Sequence, residues 1–368
     1  MRLETAAMNG TRRGGGHNGA AVQLTGLATA LPPYGYDQDQ IKAFAADMFG
    51  ADSRDFVMLQ AAFENAGIDR RHAVRPLDWY RQPLGWRERN VAFTEAAQDL
   101  LVDAGRRALT QAGIAGDTID TVVTISSTGL ATPTLEARVA PALGLRADVQ
   151  RVPVFGLGCA GGVTGLALAA RLARAAPGTH VLLLCVETCT LAFRADRGQR
   201  ADIIASILFG DGAAAACLAP ATADAPGPLI GDGREWTWPD SLNIMGWDID
   251  DSGFGVVFDR SIPDFIDRHF TAGLDRVLVG LQLRRGDFAR LAFHPGGAKV
   301  ISALESALDL ANGTLDHERA VLRSCGNMSA PTALFVLQRL LAAGQRGRVL
   351  LGALGPGFTV SLLPLDCR

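Results

Sequence analysis

The chain has 368 residues, 48% of them hydrophobic and 20% charged, with a mean hydropathy of +0.16, which excludes a highly charged disordered chain and leaves room for a large core. Its 35 Lys and Arg nearly balance 38 Asp and Glu, for a net charge of -3. No global field draws it to nucleic acid or an anionic membrane, so an anionic ligand needs a local patch. Cys159, Cys185, Cys189, Cys217, Cys325 and Cys367 are too sparse for a disulfide framework and point to reduced thiols in the cytoplasm.

Residues 1–20, MRLETAAMNGTRRGGGHNGA, lack the apolar run of a secretory signal and read as a disordered leader. A strand is predicted at 21–30, a helical surface at 38–67, a long amphipathic helix at 91–112, a buried strand at 121–126 and a helix at 135–143. A short strand at 152–155, a buried helix at 161–175 and a strand at 181–186 follow. Residues 202–218 then pass from helix through Phe209-Gly210-Asp211-Gly212 into an Ala-rich strand. The Pro- and Gly-rich stretch 220–233 is the candidate boundary, dividing a first half, 21–220, from a second, 221–368. The second half repeats the α/β grammar, with a helix at 263–283, a strand at 291–294, helices at 298–310 and 331–342, and strands across 349–363. Two uncharged stretches, 152–170 and 349–365, approach the length of a membrane span, but Gly and Pro interrupt both, so no integral membrane segment is expected.

Gly156-Leu157-Gly158-Cys159-Ala160-Gly161 follows a strand and opens a helix, and Glu187 ends the next strand. One reading is a dinucleotide loop, with Glu187 on a ribose. The other is a sharp turn that lifts the Cys159 thiol over a helix N-terminus, where dipole and free N–H groups favour thiolate. A core cysteine would be inert, but His294 closes a strand before Pro295-Gly296-Gly297, and Asn327 lies in the turn Cys325-Gly326-Asn327-Met328-Ser329. Cys, His and Asn form a complete set for thioester chemistry: His accepts the thiol proton, and His and Asn donate to a carbonyl oxygen that gains charge.

The blocks Gly158-Cys159-Ala160-Gly161-Gly162, Leu208-Phe209-Gly210-Asp211-Gly212, His294-Pro295-Gly296-Gly297, Gly326-Asn327-Met328-Ser329 and Gly355-Pro356-Gly357 resemble, in order, the signature of type III polyketide synthases, the chalcone synthase superfamily. The resemblance runs from about residue 21 onward. It implies a five-layered αβαβα thiolase fold built from two similar halves, a homodimer, and iterative condensation of malonyl-CoA onto an acyl-CoA starter. CoA thioesters are then substrates, and no cofactor or metal is expected. Cys159 would carry the acyl chain, His294 and Asn327 would form the oxyanion site, and Phe209 would match a gatekeeper. Ser127, Glu187 and Ser329 would match a hydrogen-bonded trio that directs cyclisation, and Gly255 a small cavity residue.

Departures from the plant members carry information of their own. Thr132, before Pro133, stands where those members send a Met across the dimer interface, and Ala192 stands where they have Thr; Cys189 is another lining position. The freed volume points to a longer acyl tunnel. Gly246-Trp247-Asp248 and the stretch from Gly253 to Phe258 are similar to bacterial members that take long fatty acyl starters and make alkylpyrones or alkylresorcinols, which adds Phe258 to the pocket. The basic cluster for CoA is not retained around Phe63 to Gly67, and Arg70 and Arg71, with Arg75 nearby, are the candidate substitutes. The rival readings are an initiating β-ketoacyl synthase, which condenses once, and an NAD-dependent oxidoreductase.

Overall fold

The computed structural model describes residues 21–194, 196–222 and 227–368; the leader 1–20 and part of the 220–233 boundary lie outside the described residues. Strand β1 (Val22–Ala30) opens the sheet. The helical surface predicted at 38–67 is two helices, Gln38–Phe49 and Arg54–Glu64. Gly50, at positive φ, ends the first, and the Ser53 side chain caps the second by accepting from the Phe56 N–H. The antiparallel pair Tyr34–Asp37 and Arg70–Ala73 brackets them in the chain.

The remainder of the first half alternates: α1 (Trp86–Ala112), β2 (Thr121–Ser126), α2 (Leu135–Leu143), β3 (Gln150–Phe155), α3 (Gly161–Ala175), β4 (Val181–Thr188), α4 (Arg200–Leu208) and β5 (Asp211–Pro220). Helix α1 starts earlier than predicted because Glu88 reaches back to the Gly85 amide at 3.0 Å. The second half contains β6 (Leu229–Ile230), β7 (Arg234–Thr237), the hairpin β8 (Met245–Asp250) and β9 (Gly253–Phe258), α5 (Thr271–Gly280), β10 (Arg290–Phe293), α6 (Ala298–Ala307), α7 (Asp316–Cys325), α8 (Pro331–Ala342), β11 (Gly347–Gly355) and β12 (Thr359–Cys367). The helix predicted at 263–283 is interrupted: Ile262–Phe265 passes through a π-helical turn, Ile266–Phe270, into α5.

The main sheet runs β10-β11-β12-β6-β1-β5-β4-β2-β3, with β7 on β12. Its central strands bury both faces while the edge strand β3 and strand β7 stay largely exposed, and side-chain alternation sorts the layers. Leu183 and Cys185 of β4 and Leu351 and Ala353 of β11 join one cluster with α3 and α8. Leu182 and Leu184 face α1 and α2 on one outside, while Leu350 and Leu354 face α5 and α6 on the other. The result is helix, sheet, helix, sheet, helix. Among the described residues no helix is long and apolar enough to cross a membrane.

This topology gathers the chemistry at one end. Strands β3, β2 and β4 are parallel, so Gly156 to Cys159, Ser127 and Cys189 leave the sheet together, and antiparallel β5 begins there. In the second half β10 and β11 are parallel and deliver His294 and Gly355.

Candidate active site

The Cys159 turn is held by packing as much as by hydrogen bonds. Gly156 and Gly158 have φ of 91 and 49, a region that disfavours a side chain. A Cβ on Gly158 would also stand 2.6 Å from Pro356 Cδ. One on Gly162, in the first turn of α3, would strike the Ala330 carbonyl oxygen. The loop after β11 and the start of α8 therefore fill the space a pyrophosphate would need in the dinucleotide reading. The Gly158 N–H donates to Ser127 Oγ at 3.0 Å.

Glu187 is also committed elsewhere. Fully buried, its Oε2 accepts from the Ser127 N–H at 2.9 Å and the Thr128 hydroxyl at 2.8 Å, leaving no ribose-binding acid. Burial pushes its pKa up to about 7, against those hydrogen bonds. The predicted trio is thus rearranged. Ser127 and Glu187 meet, Thr128 completes the group, and Ser329 lies instead against Cys159. Thr128 had a signal in the sequence, a second hydroxyl beside Ser127 at the end of a buried strand.

Cys159 is 6% exposed. Burial above all raises its pKa to about 12; Ser329 and Asn327 side chains lower it by hydrogen bonding, while the charge of Glu187 raises it. Desolvation thus opposes the thiolate expected at the helix N-terminus.

Asn327 is pinned on four sides. Its N–H donates to the Leu208 carbonyl at 2.8 Å, its carbonyl accepts from the Gly210 N–H at 3.0 Å, its Nδ2 donates to the Gly296 carbonyl at 3.1 Å, and its Oδ1 accepts from the Ser329 N–H at 2.8 Å. These bonds fix the amide orientation and leave the second Nδ2 hydrogen for the Cys159 sulfur. Ser329 accepts φ of 57 to complete this turn. Phe209, 7% exposed, lies beside Asn327 in a bridge between the two backbones.

His294 continues from β10, its N–H donating to the Gly352 carbonyl at 2.8 Å. The amide before it, that of Phe293, donates to buried Glu318 at 3.0 Å. The ring is 4% exposed, and neither nitrogen has a partner among the described residues. Burial drives its pKa down to about 3, so it is neutral and one nitrogen can accept a proton. The Asn327 bond to Gly296 joins this loop to the Asn327 turn, and the end of the neighbouring strand β11 packs on the Cys159 turn, where a Cβ added to Gly355 would stand 2.7 Å from Ala160 Cβ.

The pocket candidates divide. Cys189 and Ala192 are buried in the turn after β4, in one apolar cluster with Phe209, Phe254 and Val256, against which Phe258 packs. Gly255, between Phe254 and Val256 on β9, faces the opposite way, and the Arg197 guanidinium occupies its side-chain direction. Strand alternation reverses that expectation, placing Gly255 off the Cys189 and Ala192 side. Thr132 is exposed on a loop beside Leu130 and Phe155, which are 49% and 48% exposed.

Arg71 is a clear correction. It is 1% exposed, and its guanidinium donates to the carbonyls of Ser206 at 2.5 Å, Ile207 at 2.6 Å and Phe209 at 3.2 Å, and to Gln38. It caps the C-terminus of α4 from inside the protein and cannot reach a CoA phosphate. Burial lowers its pKa to about 9. Arg70, its neighbour on a strand that alternates outward, is exposed.

Residues 84–221 match the N-terminal domain of chalcone and stilbene synthases, and residues 235–365 match the C-terminal domain. The chain is 35% identical to a putative chalcone synthase of Bacillus subtilis, over 92% of this chain and 97% of that one. It is 36% identical to the 1,3,6,8-tetrahydroxynaphthalene synthase of Streptomyces peucetius, over 94% of this chain and 93% of that one. Among solved structures, a type III pentaketide synthase from Neurospora crassa superposes with a TM-score of 0.85 at 26% identity, covering 94% of this chain and all of that one.

Proposed function

The chain belongs to the chalcone and stilbene synthase family, as a type III polyketide synthase and acyltransferase of thiolase fold, and from that premise we propose that Cys159 carries the growing acyl chain while His294 and Asn327 serve the carbonyl chemistry. The supporting observation is that Asn327 is tied to both loops: its side chain bonds the Cys159 thiol and its Nδ2 donates to the carbonyl of Gly296, two residues after His294, whose imidazole has no hydrogen-bond partner among the described residues. In loading, the Cys159 sulfur attacks the acyl-CoA carbonyl as neutral His294 takes its proton. The C–S bond to CoA breaks and the proton leaves on the CoA thiol. In extension, malonyl-CoA loses carbon dioxide, and the resulting enolate carbon attacks the Cys159 thioester carbonyl; the C–S bond to Cys159 breaks, the sulfur leaves as thiolate, and the extended chain, now a β-ketoacyl-CoA, is reloaded onto it with release of CoA. The second Nδ2 hydrogen of Asn327 and a ring N–H of His294 stabilise the enolate oxygen. Repetition without an acyl carrier protein distinguishes this from an initiating β-ketoacyl synthase.

The finer reading is a long-chain fatty acyl starter and an alkylpyrone or alkylresorcinol product. It is supported by the small side chains at Ala192 and Cys189, with Phe209 as gate. A second reading, an aromatic product without an alkyl tail, is supported by the likeness to a tetrahydroxynaphthalene synthase. Incubation with malonyl-CoA and acyl-CoA starters from about C2 to about C20, read by product mass, separates them. Alkyl-bearing tri- or tetraketides support the first; a product from malonyl-CoA alone, unaffected by long starters, overturns it. A homodimer in the cytoplasm is proposed with this reading. Apolar Leu130 and Phe155 exposed beside Thr132 support the dimer, and a monomeric mass by light scattering would refute it.

A further inference from the structure

We propose that Asp211 is a positioning residue for starter selection, holding the turn that carries Cys189 and Ala192 in register with Phe209; this rests on reading that turn as the pocket wall. Asp211 opens β5, opposite Thr188 at the end of β4, where the turn Cys189–Ala192 leaves the sheet. It is fully buried, and three donors converge on its carboxylate. Oδ1 accepts from the Thr190 N–H at 2.8 Å, and Oδ2 accepts from the Thr190 hydroxyl at 2.5 Å and the Val74 N–H at 2.8 Å. Tyr80 Oη lies 2.6 Å from Thr190 Oγ1, extending the contact to the loop before α1. On the far side of the turn, Arg89 donates to the carbonyls of Leu191 and Phe193 at 2.5 and 2.9 Å.

The turn backbone is thereby fixed from both sides, while Cys189 and Ala192 make no demand on those donors. Asp211 also follows Phe209-Gly210, the pair joined to Asn327. One carboxylate therefore sets the distance between the wall of the acyl pocket and its gate. Burial raises its pKa to about 7, with Thr190 and Val74 bonds opposing the shift, which is a cost a surface position would avoid. The loading and extension steps do not use it.

The test is the ratio of kcat/KM for a long acyl-CoA starter to that for a short one, a quantity that general loss of folded enzyme leaves unchanged. Asp211→Asn is expected to change this ratio by about tenfold, because one donor is left facing an amide NH₂. Thr190→Val, which removes one donor and keeps the backbone, is expected to move it in the same direction by about threefold and covers the case in which Asp211→Asn does not fold. Ala192→Phe is the control on the pocket wall. If Ala192→Phe leaves the ratio unmoved, the pocket reading fails and the proposal with it. If Ala192→Phe moves the ratio while the variants at Asp211 and Thr190 scale all starters equally, Asp211 is purely structural and the proposal alone is overturned.

Discussion

The two walls of the site are held by the same device and differ in what they leave free. Around Cys159, Glu187 and Ser127 bind the strand ends, and Asn327 and Ser329 reach the sulfur itself. Around His294, Glu318 binds the Phe293 backbone and Gly352 binds His294, yet neither ring nitrogen has a hydrogen-bond partner among the described residues. Buried carboxylates satisfy backbone N–H groups in both walls, so each loop is rigid without consuming the donors and acceptors that meet substrate. One wall presents a sulfur already oriented, and the other a neutral base whose hydrogen-bonding capacity is intact.

The contrast predicts graded damage. Cys159→Ala should remove acyl loading and lower product formation by about 10³-fold or more, measured by product mass with the starter series; retained activity would defeat the assignment. Asn327→Ala should lower malonyl-CoA decarboxylation by about 10²- to 10³-fold, read as carbon dioxide release, because it deletes an oxyanion donor. A loss below tenfold would make Asn327 a turn residue only. Arg71→Met should destabilise the fold by about 3 kcal/mol in denaturant unfolding, since the carbonyls of Ser206 and Ile207 in α4 and of Phe209 just after it lose their donor. Arg70→Ala, one residue away but exposed, should leave Tm unchanged while testing for a CoA contact through KM; equal effects at both positions would contradict the capping role.

The smallest effect expected is on pH dependence. The folded pKa of His294, about 3, lies below its ordinary value of 6.5, so its contribution to stability is complete above about 6.5 and is lost as pH falls through that window toward 3. Asp211 and Glu187, both raised to about 7, act oppositely: their protonated forms favour the fold at low pH, and that contribution is lost as pH rises toward 7. His294→Asn should therefore show a shallower fall of Tm between pH 6.5 and 4 than the parent chain. An identical slope would mean the ring is solvated.

Much of the architecture was legible because period and punctuation are local. The strands at β2 and β4, the glycine turn at Cys159 and the helix α3 follow from apolar runs with Gly close before or after them. Helix α7 and the hairpin β8 and β9 signal weakly in sequence: α7 has only Val321, Leu322 and Cys325 as an apolar face on a charge-rich segment, and the hairpin mixes exposed acids with aromatics. Arg70 and Arg71 read alike in sequence, and only strand alternation made one a surface charge and the other a buried cap.

By itself the sequence determined the chemistry on offer: a thiol in a glycine turn, an imidazole and an amide at strand and helix ends, and ordered motifs that resemble one family. The tertiary structure alone decided protonation and partnership. Whether a thiol is ionised, whether Glu187 faces a ribose or Ser127 and Thr128, and whether Gly255 faces Arg197 or the acyl pocket depend on desolvation and on residues far away in the chain. Those quantities exist only after the two halves have closed over one another.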